Sequence, residues 1–262
     1  MQWHEKYGPW ALVTGASSGL GAEFVKQLAA RGLNVVLVAR REQRMAALAD
    51  DVRRSRGVAT RVVPVDLTGR DACRRVGDQT SDLEIGLLVN NAGFGLFGAY
   101  ADLDPDRMVN MTVLNCVVPV LLTNQYLQPM LNRGRGGLIF LASTAAYQAT
   151  PYLGVYGASK AFNLLMGESL WEEYRTRGID SLALSPGFTK TEFTSVAQMK
   201  DASGLREATP GAVVALALRK LGKRPSVIHG LANKVLNFTG RLIPRRAAIA
   251  VTSAMLKGRT MS

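Results

Sequence analysis

Tyr156 and Lys160 stand four residues apart in Tyr156-Gly157-Ala158-Ser159-Lys160, and Ser143 lies thirteen residues upstream. Positions i and i+4 share one face of a helix, so the phenol and the ammonium become neighbours there. A tyrosine ordinarily titrates near pH ~10, too high for proton exchange at neutrality. A nearby ammonium favours the phenolate and is expected to lower that value, as a general acid and base requires. Ser143, expected at the carboxyl end of a strand, can donate a hydrogen bond to a developing alkoxide. A Tyr–Lys pair at this spacing is also common by chance, so its meaning depends on its surroundings.

Near the chain start an apolar run passes into Thr14-Gly15-Ala16-Ser17-Ser18-Gly19-Leu20-Gly21. Gly15 permits a tight turn, Gly19 lets backbone N–H groups approach a pyrophosphate, and Gly21 lets helix and strand pack closely. Ser17, Ser18 and Leu20 complete the expected phosphate cradle. The spacing TGxxxGxG differs by one residue from the commoner dinucleotide fingerprint; its position between a strand and a helix is what gives it weight. At the end of the second apolar run, where a carboxylate would hold a ribose 2′-hydroxyl, the sequence reads Ala39-Arg40-Arg41. A guanidinium in that place favours a 2′-phosphate, hence NADP(H) as the cofactor. Arg40 is the expected ligand, with Arg41 a solvated residue at the start of a helix. Asp66-Leu67 ends the third run, where the carboxylate can accept from an adenine amine or cap a helix. Asn90-Asn91-Ala92-Gly93 closes the fourth. Small residues there leave room for a flat cofactor, and the amides can tie neighbouring loops or serve as turn residues.

These groups need a scaffold that gathers the carboxyl ends of several strands. Short β-branched and aliphatic runs at 10–14, 34–39, 60–66, 86–91, 137–143, 180–185 and 226–229 read as strands. Longer amphipathic stretches at about 20–31, 41–55, 69–80, 104–132, 156–177 and 210–221 read as helices. Near-continuous apolar strands alternating with helices predict an α/β fold: a single-domain Rossmann-type doubly wound sheet of about seven parallel strands with helices on both faces. Ligands in such sheets bind outside the carboxyl ends of the strands.

The 262 residues can bury one large core, and no linker or repeat divides them. Residues 1–230 are read as the catalytic domain and 231–262 as a basic amphipathic extension packed on or beside it. No apolar run approaches the ~18 residues needed to span a bilayer, and the N-terminus lacks a secretory apolar core. Two cysteines, Cys73 and Cys116, make no disulfide framework, so a cytoplasmic location is expected. No metal is expected. The formal charge of +12 is uneven, because no acidic residue follows Glu207 while ten Lys and Arg do. The basic character belongs to the tail, which argues against nucleic acid as a partner of the main domain.

The residues at 14–21, Asn90-Asn91-Ala92-Gly93, Ser143, Tyr156 with Lys160, and Pro186-Gly187 occur in order and at intervals that resemble the short-chain dehydrogenase/reductase family, in its common single-domain branch. The resemblance covers roughly residues 8 to 230. It implies hydride exchange between a nicotinamide and a ketone or secondary alcohol, with Tyr156 moving the proton. It also implies that Lys160 holds nicotinamide ribose hydroxyls and that Asn115, with Asn110 the weaker candidate, keeps a water in the proton relay. Pro186, Gly187, Thr189 and Thr191 would grip the nicotinamide carboxamide. Relatives are usually dimers or tetramers, so a homo-oligomer is expected. Many relatives end about thirty residues earlier, and the motifs do not explain the extension.

Segments expected to wall the pocket contribute Phe94, Leu96, Phe97, Tyr147, Tyr152, Leu153, Phe188, Phe193 and Met199, although some will simply pack the core. Such a lining favours an apolar carbonyl compound, acyl-chain or steroid-like, and a place in lipid metabolism. In the tail, Val235, Leu236, Phe238, Leu242 and Ile243 alternate with basic residues, a pattern suited to peripheral membrane contact, to capping the site or to packing on another subunit. The competing function is a non-catalytic dinucleotide-binding regulator or scaffold. The presence of Ser143, Tyr156, Lys160 and Asn115 together speaks against it.

Overall fold

Seven strands form one parallel sheet: β1 (Trp10–Thr14), β2 (Asn34–Ala39), β3 (Thr60–Pro64), β4 (Ile85–Asn90), β5 (Gly136–Leu141), β6 (Ile179–Ser185) and β7 (Ser226–Ile228). Their order is β3-β2-β1-β4-β5-β6-β7, so the chain winds outward in both directions from β1 and β4. A crevice opens at such a reversal, outside the strand ends. The computed structural model describes residues 3–193, 197, 207–240 and 242–257. Every expected strand is present and every pairing is parallel.

Successive strand residues face opposite layers. Ala11, Val13, Val35 and Leu37 join a core with α2 (Gly19–Ala29), α3 (Glu42–Arg56) and α8 (Pro210–Lys220). Leu12, Val36, Val38 and Leu88 face the other side, against α4 (Ala72–Asp78), α6 (Val118–Arg133) and α7 (Gly154–Tyr174). Phe24 and Phe140 are fully buried in these two layers. Each contributes about 1.5–3 kcal/mol by leaving water. β4, β5 and β6 are buried at every position, which fixes the ends from which the candidate site residues project.

The long helix expected at 104–132 is present over Pro105–Arg133, with a π-helical turn inside it. Asp104 caps α5 (Pro105–Thr112) by accepting from the N–H groups of Asp106 and Arg107. A π-helical turn, Val113–Val117, then precedes α6. Pro119 is the physical reason: it has no N–H to give the Asn115 carbonyl four residues back. That carbonyl instead accepts from Asn163 Nδ2 on α7 at 2.7 Å. The whole segment, 105–133, is long and apolar enough to cross a membrane, which corrects the reading of the sequence on this point. It packs on the sheet, with Leu122 and Met130 wholly buried.

Among the described residues, three α-helices fall outside the sequence pattern. The short α1 (Trp3–Tyr7) lies at the far pole, where the Tyr7 hydroxyl donates to Asp180 on β6 at 2.5 Å. The tail forms α9 (Leu231–Thr239) and α10 (Arg245–Lys257). Gln148 Nε2 donates to Thr252 Oγ1 of α10 at 2.7 Å, and Leu256 packs into the apolar cluster that holds Tyr156.

Candidate active site

The glycine-rich turn is built around close backbone approach. Gly15 and Gly19 adopt positive φ, +67° and +54°, which L side chains rarely take. A Cβ at Gly15 would meet Asn91 Nδ2 at 2.8 Å, and one at Gly21 would strike the Gly15 carbonyl oxygen. Thr14 and Asn91 stitch this turn to the end of β4. Thr14 Oγ1 accepts from the N–H groups of Asn91 and Ala92 at 3.0 and 2.9 Å, and Asn91 Nδ2 donates to the Thr14 carbonyl at 2.7 Å. Ser18 stands at the N-cap of α2 without a side-chain cap bond, and Leu20 packs against the core. Because α2 starts at Gly19, its first N–H groups open into the crevice, a geometry suited to pyrophosphate.

The end of β2 corrects one expectation. Arg41 is no idle solvated residue: its Nε donates to Ser17 Oγ at 3.1 Å and its Nη2 to Ser18 Oγ at 2.7 Å. Its Nη1 pairs with Glu192 at 2.8 Å. Arg40 is largely exposed and, among the described residues, pairs with Asp66 at 3.8 Å. Asp66 itself caps no helix. Its Oδ1 accepts from the N–H and hydroxyl of Thr68, while Asp71 holds the N-cap position of α4. Leu67 is buried in the core.

Ser143 follows β5 and caps a short 3₁₀ turn, accepting from Ala145 N–H at 3.2 Å. Tyr156 lies in the first turn of α7, near enough to Ser143 for that hydroxyl to favour its phenolate. Lys160, one turn on, donates to the Leu141 carbonyl at 2.8 Å, and its Nζ is 5.7 Å from the centre of the Tyr156 ring. Both side chains are buried. A Cβ at Gly93 would lie 2.8 Å from Asn115 Oδ1 and 3.3 Å from Lys160 Nζ, so glycine keeps the floor between them open.

Burial decides the electrostatics, and against the expectation from spacing. It pushes Tyr156 up to about 12, although the Ser143 hydrogen bond pulls the other way. It pushes Lys160 down to about 8, opposed by its Coulombic coupling to the Cys116 sulfur. The ammonium is spent on a carbonyl and does not acidify the phenol. At neutral pH Tyr156 is therefore a protonated acid.

Asn115 is buried in the π-turn, and its side chain is fully engaged. Its Oδ1 accepts from Phe94 N–H, and its Nδ2 donates to the Phe94 carbonyl and to Ser159 Oγ at 3.0 and 2.9 Å. It ties the segment after β4 to α7. Asn110 is exposed on α5. The Pro186 carbonyl accepts from Thr144 N–H, and Asn233 of α9 packs directly on Gly187. Thr189 bonds Gly187, while Thr191 accepts from Phe193 N–H and its methyl lies above Gly19. Apolar side chains close over Tyr156: Leu96, Phe97 and Leu153 are buried beside it, with Phe94, Tyr152, Phe188 and Phe193 around them. Tyr147 departs from the expected wall, packing with Leu164 and Ala183 and lying 3.2 Å from Ser185 Oγ. Met199 lies outside the described residues.

A bound planar dinucleotide suits this cradle, since each glycine facing the crevice marks a place that a Cβ would fill. Two signals for the missed Arg41 were available: a second arginine, and two serines in the turn it reaches.

The sequence profile of the short chain dehydrogenases matches residues 9–202. A 7beta-hydroxysteroid dehydrogenase of Collinsella aerofaciens is 34% identical over 240 residues, covering 89% of this chain and 90% of the relative. A very-long-chain 3-oxoacyl-CoA reductase of Anas platyrhynchos is 30% identical over 245 residues, covering 90% of this chain and 76% of the relative. A solved structure from work on 7beta-hydroxysteroid dehydrogenase stereoselectivity superposes with a TM-score of 0.89 at 31% identity, over 97% of this chain and all of the other. The chain belongs to the short-chain dehydrogenases/reductases, oxidoreductases that interconvert carbonyl and hydroxyl groups with a nicotinamide dinucleotide.

Proposed function

We propose that the chain is an NADP(H)-dependent reductase of bulky apolar ketones, steroid-like or acyl-chain, with Tyr156 as general acid and base. One observation carries this reading: Tyr156 is buried in an apolar cluster with Leu96, Phe97, Leu153 and Phe193, with Ser143 beside its hydroxyl and Lys160 one turn on. A ketone oxygen seated between those hydroxyls accepts a hydrogen bond from Ser143 and a proton from Tyr156. Lys160 then sits within reach of the phenolate left behind and stabilises it. The dinucleotide, when bound, supplies the hydride from its nicotinamide ring. The related enzymes act, by name, on a hydroxysteroid and a long 3-oxoacyl chain, and both substrates suit aromatic walls with a single polar end.

The choice of NADP(H) rests on Ala39 in place of a carboxylate and on Arg41 held over Ser17 and Ser18. With a panel of steroid and 3-oxoacyl ketones, NADPH should support turnover at least about tenfold better than NADH. Arg41→Ala should cost about ten- to hundredfold in NADPH affinity, the worth of a charge-assisted phosphate contact, and leave NADH binding unchanged. Tight NADPH binding with no turnover across the panel would favour the scaffold function instead.

Two further assignments belong to the same reading. Val109, Val117, Val120, Leu121 and Leu165 are exposed apolar residues of the α5–α6–α7 face, suited to a homodimer. On α9, Leu231, Val235 and Phe238 stand in solvent beside Lys234, suited to peripheral contact of a cytoplasmic enzyme with an anionic membrane. Phe238→Glu should abolish sedimentation with phosphatidylserine vesicles and leave turnover of a soluble ketone intact. Equal sedimentation of both proteins removes the membrane assignment.

A further inference from the structure

Three consecutive side chains, Thr191, Glu192 and Phe193, reach three separate parts of the site. The Thr191 methyl covers Gly19 of the phosphate turn. The Phe193 ring lies 5.2 Å from that of Tyr156, tilted by 47°, and packs in the cluster where a ketone would bind. Between them, Glu192 reaches back across the crevice to α3, accepting from Arg41 Nη1 at 2.8 Å and from Arg44 Nη1 at 2.6 Å. The two arginines hold its carboxyl down to about 2, so it is charged at any physiological pH. A cavity of about 460 Å³ borders this crossing, lined by Ser18, Gly19, Lys190, Thr191 and Glu192.

Arg41 is fully committed in this state. Its Nε and Nη2 go to the two serines and its Nη1 to Glu192. A guanidinium offers a planar fork that suits a carboxylate or a phosphate, and a given edge holds one anion well. The carboxylate of Glu192 therefore occupies an edge of Arg41 that a ribose 2′-phosphate would have to take.

We infer that Glu192 is an internal stand-in for the 2′-phosphate, holding the 191–193 segment shut over Tyr156 until the phosphate takes its place on Arg41. The inference rests on the NADP(H) reading above and adds to it. Residue 192 becomes a determinant of cofactor specificity, and the 2′-phosphate becomes the signal that frees the ketone pocket. An incoming phosphate carries more charge than a carboxylate and displaces Glu192 toward Arg44 or solvent. Phe193, the next residue, then leaves the Tyr156 ring. Addition of substrates follows in order, dinucleotide first and ketone second.

Magnitude matters, because these side chains are partly exposed and each pair is weak. A latch of this kind weakens phosphate binding by the factor needed to open it, about three- to tenfold for a two-arginine network at the surface. Adenosine 2′,5′-bisphosphate tests this without turnover, with 5′-AMP as the control lacking the 2′-phosphate. By calorimetry, Glu192→Gln should bind the bisphosphate about three- to tenfold tighter than the wild type and 5′-AMP equally well. In the wild type, the bisphosphate but not 5′-AMP should speed hydrogen exchange at the amides of Lys190 and Phe193. In Glu192→Gln these amides should exchange fast from the start. If both proteins bind the bisphosphate alike, or the amides do not respond, the latch is wrong. If the wild type fails to prefer the bisphosphate over 5′-AMP and Arg41→Met changes nothing, the NADP(H) reading falls, and the latch with it.

Discussion

Tyr156→Phe should lower kcat for ketone reduction by about 10²- to 10⁴-fold while leaving dinucleotide affinity within about twofold of the wild type. The substitution removes one oxygen from a side chain that is 8% exposed and packed on Phe193, so ring packing and fold survive. What is lost is the proton donor itself. Ser143 can still bond the substrate oxygen, which keeps the residual rate above that of the uncatalysed reaction. The pH profile gives a second handle. Reduction needs Tyr156 protonated, which holds up to about pH 12, and Lys160 charged, which holds only below about pH 8. In the free enzyme, kcat/KM for reduction should therefore be level at neutrality and fall above about pH 8, with the limb assigned to Lys160. Lys160→Met should lie low at every pH and lose that limb. Retention of more than a tenth of wild-type kcat by Tyr156→Phe would remove the phenol from the mechanism.

The strands and the site positions were legible because they depend on local pattern. β4 and β5 are buried at every position and read as unbroken apolar runs, and the residues that follow them, Asn91 and Ser143, are placed by counting. What was not legible depends on burial or on contacts across the chain. The direction of the Tyr156 shift could not come from spacing, since the i+4 rule puts Lys160 nearby but says nothing of how dry the site is. The choice between Arg40 and Arg41 turns on a single residue of rotation at the end of β2, where Arg41 turns inward to Ser17 and Ser18 and Arg40 turns out. Glu192 meets Arg41 across 151 residues of sequence, in a loop with no periodic signal. The π-turn is an intermediate case. Pro119 was visible, and a proline inside an apolar helix frees the carbonyl four residues before it, which here is Asn115. Helices α9 and α10 were read only as an amphipathic tail; the contacts of Asn233 with Gly187 and of Thr252 with Gln148 bring that tail to the rim of the site.

Gly21→Ala should cost about 1–3 kcal/mol of stability and weaken dinucleotide binding at least about tenfold, although alanine is the better helix former. Residue 21 lies within α2, so exchanging glycine for alanine gains up to about 1 kcal/mol of helix propensity in an open helix. Here the new methyl would be driven into the Gly15 carbonyl and would sit 2.6 Å from Asn91 Nδ2. The first neighbour is backbone and cannot rotate away, so either α2 tilts off the turn or the turn itself opens. Both movements pull Asn91 from the Thr14 carbonyl, a bond of 2.7 Å that joins β1's turn to the end of β4. The N–H groups at the start of α2 then no longer converge on one point, and a pyrophosphate loses its seat. Gly154→Ala supplies the control. It also lies in a helix, at the start of α7, and its Cβ would meet nothing within 4 Å. That substitution should leave the melting temperature unchanged or slightly raised. Thermal unfolding with and without NADPH separates the two effects: Gly21→Ala should melt lower in both conditions and gain less from the dinucleotide than the wild type does. A Gly21→Ala protein that melts like Gly154→Ala and gains as much from NADPH would mean that the close approach of α2 to the turn does not hold the phosphate site together.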